Sequence, residues 1–90
     1  MKFVYPAIFK PREDGGYHVA FPDLEECYAE GDTLEEAIEH AKEAETTWIS
    51  VEMEDGIELP QSAAIDESKL EEGSFVRSVS AIIKFVDDYD

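Results

Sequence analysis

Basic residues are scarce in this chain: 7 lysines and arginines stand against 23 aspartates and glutamates in 90 residues, a formal charge of −16. That balance excludes an ordinary electrostatic grip on nucleic-acid phosphates, and it disfavours docking on anionic membrane surfaces. Cysteine is nearly absent. The lone Cys27 permits no internal disulfide and no zinc knuckle, which suits a reducing compartment, and we expect a cytoplasmic protein. No run is long and apolar enough for a membrane span, and the opening MKFVYPAIFK, with Lys10, lacks a signal-peptide h-region. The length predicts a single domain over residues 1–90. Chains of this size bury roughly 60 to 70% of the surface exposed on unfolding, so a homo-oligomer is expected.

The charge that is present is unevenly placed. Residues 1–22 carry three bases and two acids, and residues 73–90 carry two bases and three acids. The middle, residues 23–72, holds 18 acids and 2 bases. Such a segment alone would suggest disorder, but 43% apolar residues and ten aromatics supply a core. The sequence therefore predicts a folded domain with one acidic face.

Lys2 to Lys10 alternates, with Phe3, Tyr5, Ala7 and Phe9 on one face and Val4, Pro6 and Ile8 on the other, as in a strand. Pro6 cannot donate to a ladder and must sit at an edge-facing position or a bulge. PREDGG at 11–16 suits a reversing loop, after which Tyr17–Phe21 completes a hairpin. A third short strand is expected over Cys27–Glu30, ending at Gly31. Thr33-Leu-Glu-Glu36 reads as a capping box: the Thr hydroxyl accepts from the amide three residues on, and Glu36 reaches back to the Thr amide. Leu34, Ala37, Ile38, Ala41, Ala44, Trp48 and Val51 then form the inward stripe of a helix stopped by Gly56, with Glu35, Glu39 and Glu43 on its outer face. Residues 57–73 read as a loop with a helical turn around Ser68–Glu72. Ser74–Val86 reads as a final strand, with a helix over 78–89 as the alternative.

The order Gly15-Gly-Tyr17-His-Val-Ala-Phe-Pro-Asp-Leu24, Gly31-Asp-Thr-Leu-Glu-Glu-Ala37, Trp48 and Leu59-Pro60 resembles the N-terminal domain of HicB antitoxins over residues 3–62. The resemblance implies an α+β domain of order β-β-β-α-β: an antiparallel meander with one long helix packed on it, similar to a degraded ribonuclease H fold. It further implies a partner, a small basic HicA-type mRNA-cleaving toxin whose active site the domain blocks. Many family members add a C-terminal DNA-binding domain, for which residues 74–90 are too short. Two departures stand out: Glu25-Glu26 replaces the family's common Pro-Gly, and Gln61 replaces a second Pro.

The alternative is a metal-dependent nuclease on the same fold, with Asp23 and Glu36 among its metal ligands. Each has a structural explanation, Glu36 as a cap and Asp23 as a turn residue, and the first strand carries no acid between Lys2 and Lys10. His18, opposite Tyr17 and Val19 in its strand, and His40, beside the acidic helix face, read as surface or partner-contact residues. Cys27 reads as a buried filler, its thiolate disfavoured by Glu25, Glu26 and Glu30. No catalytic residue, cofactor or metal is expected. The excess of acids exceeds what solubility requires and opposes folding by self-repulsion, which points to a basic protein partner. The candidate contact residues are Asp23, Tyr28, Glu35, Glu39, Glu43 and Trp48, with Tyr89 as a further apolar anchor.

Overall fold

A computed structural model describes residues 1–56 and 58–83. The order is β-β-β-α-β: β1 (Lys2–Pro11), β2 (Tyr17–Ala20), β3 (Tyr28–Gly31), α1 (Leu34–Glu54) and β4 (Phe75–Ile82), with a 3-10 turn at Glu67–Lys69. The strands form one open antiparallel sheet in the order β3-β2-β1-β4, and the helix carries the chain from one edge to the other. This is the expected α+β arrangement. The helical turn starts one residue earlier than Ser68. Ser78–Ile82 is strand rather than helix, and the remainder of the helical alternative, like Tyr89, lies outside the described residues.

Alternation along β1 sends Tyr5, Ala7 and Phe9 into the core, where Val19, Val79 and Ala81 join them beneath α1. Phe9 stacks on Phe75 at 5.3 Å between centroids, and Tyr17 meets Phe75 edge-on. Pro6 falls outside the β2 register, which spans Ile8 to Pro11, in the half of β1 bordered by β4. A residue without an N–H is tolerated there.

The end of β3 meets the start of α1 almost backbone to backbone. A Cβ built on Gly31 would lie 2.2 Å from the Ala37 nitrogen, so only glycine fits. Thr33 caps the helix through Oγ1, which accepts from the Glu36 amide at 3.1 Å. Glu36 reaches back to the Asp32 amide rather than to that of Thr33. At the other end Gly56, at φ +71, donates to the Met53 carbonyl and closes the helix.

The inward face of α1 differs from the apolar stripe read along the sequence. The buried residues are Ala37, Ala41, Glu45 and Ile49, while Val51 is 47% exposed. At about 100° per residue, Val51 lies about 200° round from Ile49, so the two cannot share a face. Burial follows the line of residues four apart, and that line places a carboxylate in the core.

Beyond the helix the chain returns across the Tyr5 end of β1. The Tyr5 hydroxyl donates to the Pro60 carbonyl, and the Ala63 amide donates to Asp23 Oδ2 at 3.1 Å. Lys10 pairs with Glu71 at 2.6 Å near the far end of the same strand.

Candidate functional site

The Phe21–Cys27 connection shapes one wall of a groove between β3 and α1. It contains two consecutive tight turns, closed by Leu24 N–H to Phe21 O and Cys27 N–H to Leu24 O. The second turn places Glu26 at φ +56, a left-handed conformation that favours glycine. The positive φ falls at the position where the family commonly has glycine, so here a glutamate bears the strain. It is held from the helix side, where the Trp48 indole N–H donates to the Glu25 carbonyl at 2.8 Å.

Trp48 therefore stands between two hollows. One, of about 470 Å³, runs between edge strand β3 and α1. Cys27, Ala44, Trp48 and Val51 give it an apolar floor, Tyr28 lies at the strand edge, and Glu26, Glu43 and Glu52 lie at its rim. The other, of about 570 Å³, shares Glu26, Trp48 and Glu52 with the first and adds Asp23, Glu25 and Glu58. Among the described residues none of these carboxylates forms an ion pair; the arginine and histidine pairs gather instead at Asp14, Glu30 and Asp32. The site is an apolar trough beside a concentrated, uncompensated negative field.

The structure brings Tyr28, Glu43 and Trp48 to the first hollow and Asp23 to the second. Glu35 and Glu39 are exposed on the N-terminal half of α1 and line neither. Trp48 is half-buried and committed to the Glu25 carbonyl, so it is a wall of the groove rather than a projecting anchor; Tyr28, 59% exposed, projects. Glu26, Glu52 and Val51 were not anticipated as groove residues. Val51 had been assigned to the core, and the left-handed turn that presents Glu26 has no glycine to announce it.

Cys27 is buried, and its thiol is pushed up to about 11 by desolvation and then by Glu45; Glu25, Glu26 and Glu30 are not the cause. It is an inert filler. His18 pairs with Glu30 at 3.2 Å and stacks on Tyr28. His40 Nδ1–H donates to the Glu30 carbonyl at 2.6 Å, which favours its protonated form. Among the described residues no three of His, Cys, Asp and Glu converge in an arrangement that could hold a metal ion. Asp23 and Glu36, the acids of the nuclease alternative, serve a loop and a helix cap. No helix among these residues is long and apolar enough to cross a membrane.

Antitoxin HicB 1 of Photorhabdus laumondii is 45% identical over 56 residues, which are 62% of this chain and 36% of that protein. The chain spans less than half the length of this and two other curated relatives it matches. Among solved structures, a toxin–antitoxin complex from Streptococcus pneumoniae aligns over 100% of this chain and 82% of its own, with TM-score 0.75 and 23% identity. The N-terminal domain of Burkholderia pseudomallei antitoxin HicB aligns over 90% of this chain and 100% of its own, with TM-score 0.70 and 20% identity. At these identities the structures establish the fold. The family described as HicB-like antitoxin of bacterial toxin–antitoxin systems matches residues 5–88, and the chain belongs to it.

Proposed function

We propose that this domain neutralises a small basic HicA-type toxin by seating it over the groove between β3 and α1. The observation that carries the proposal is the pairing of an apolar floor with six carboxylates, Asp23, Glu25, Glu26, Glu43, Glu52 and Glu58, that have no cationic partner among the described residues. Apolar contacts at Tyr28 and Val51 would give affinity, and the acids would steer encounter and reject acidic proteins. An mRNA-cleaving toxin presents a cationic surface to its substrate, and a surface of opposite charge can cover it. Glu35 and Glu39 extend the same field along α1 and contribute to steering rather than to contact. The domain acts as a stoichiometric ligand without catalysis or cofactor. It operates in the cytoplasm, where the buried Cys27 thiol needs no oxidising environment.

The test is titration of the purified chain with a basic HicA-type protein by calorimetry and stopped-flow. Val51→Lys should weaken binding by about thirtyfold or more, the loss expected at a hot spot. Glu43→Lys with Glu52→Lys should slow association and flatten its salt dependence. Binding that ignores all three substitutions would place the toxin elsewhere, and no binding to any such protein would refute the function.

A further inference from the structure

The sheet has a second face that α1 does not cover. Strand alternation and register bring Val4, Pro6, Ile8, Ala20, Val76 and Ile82 to that face, with Ile8 directly opposite Val76 on one side and Ala20 on the other, and Tyr28 of the edge strand beside Ala20. Val4 is 43% exposed, Tyr28 59% and Ile82 64%, and the others are half-buried. An antiparallel sheet covered on one side ordinarily alternates apolar residues inward with polar residues outward. Here β1 is apolar on both faces, the pattern of a strand buried on both sides.

Charge selects what can cover it. The polar residues on this face are Lys2, Lys10, His18, Glu30, Ser78 and Ser80, and Glu30 is already engaged by Arg12 and His18. Its centre carries no charge, and its lysines lie at the two ends of β1. The acids of the chain are concentrated on α1 and the loops, and of the loop acids Glu71 reaches the rim of this face, where it pairs with Lys10. Two copies carrying −16 each repel one another overall, most strongly where their acidic helices would meet. Meeting here, they turn their acidic helices away from one another. A basic partner gains nothing at a face that has lysines and one neutralised glutamate, whereas the groove on the opposite side attracts it.

We propose that the uncovered sheet face centred on Val4, Pro6, Ile8 and Val76 packs against the same face of a second copy of this chain. The contact is isologous: two sheets stack about 10 Å apart with strands crossing at about −30°. Ser78 and Ser80 are small enough to let the sheets approach. The arrangement leaves both grooves outward, so one dimer presents two of them.

Sedimentation of the full chain over a wide concentration range, at low and high salt, tests this. The unmodified protein should sediment at twice 10.2 kDa. Ile8→Glu and Val4→Lys should each weaken dimerisation by about thirtyfold or more, with circular dichroism unchanged, while Glu43→Lys leaves the dimer intact. Should Ile8→Glu fail to fold, Val4→Lys, at an already exposed position, decides alone. Added salt should tighten the dimer by screening like charges, the opposite of its effect on a basic partner. A monomer at every concentration, a dimer that survives both substitutions, or a dimer that salt dissolves would overturn the proposal. Each of these outcomes is independent of whether the groove binds a toxin.

Discussion

Glu45 is the most consequential residue that the helical pattern concealed. It is 0% exposed, between Ala41 and Ile49 on the inward line of α1, and neither carboxylate oxygen has a hydrogen-bond partner. Tyr5, Cys27 and the neighbouring helical turns surround it, with Asp23 also acting on Tyr5, and no cation among the described residues offsets the charge. Desolvation pushes its pKa from 4.5 up to about 7, with the Tyr5 backbone acting in the opposite direction. The folded state thus favours the protonated acid. Below pH 4.5 both states are protonated and no penalty applies; stability falls as pH rises from there, and the loss saturates above pH 7. A displacement of that size corresponds to about 3 kcal/mol, a large share of what a domain this small possesses.

Glu45→Met keeps the side-chain length and removes the charge. Urea unfolding at fixed protein concentration should show the variant about 3 kcal/mol more stable than the unmodified chain at pH 8, with the gap shrinking to about 1 kcal/mol at pH 5. Glu45→Gln should recover less, because its amide still lacks partners. His40, whose pKa is raised chiefly by its bond to the Glu30 carbonyl, also loses stabilisation as pH rises, and it does so equally in all three proteins. The difference between proteins therefore isolates Glu45. A gap that does not change between pH 5 and pH 8 would refute the reasoning.

Two further substitutions probe the local geometry. Gly31→Ala drives a methyl against the backbone of Ala37 and should cost about 2 kcal/mol or more in the same unfolding assay; a neutral result would mean that α1 does not start where described. Glu26→Gly should stabilise the fold by about 1 kcal/mol through release of the left-handed strain, while slowing association with a basic toxin through loss of one rim charge. Stability that falls on this substitution would show that the turn is not strained.

Several features were written locally and could be read there. Alternation fixed the inward face of β1, Thr33 and Gly56 marked the ends of α1, and the motif order from Gly15 to Pro60 carried the family, because caps, turns and strand periods act over a few residues. The concentration of acids in residues 23–72 was equally plain. The orientation of α1 was not. Trp48 and Val51 are apolar and three apart, yet the close approach of Ala37 to Gly31 sets the helix's rotation, and that rotation carries Glu45 and Ile49 inward and Val51 out. The groove has the same origin, since its lining comes from residues about twenty apart that only the packing of α1 against β3 brings together. The sequence by itself determined the elements, their order and the sign of the field; the tertiary structure decided which carboxylate is buried, which acids meet around Trp48 and which apolar face remains open, because those depend on contacts between segments that no local pattern encodes.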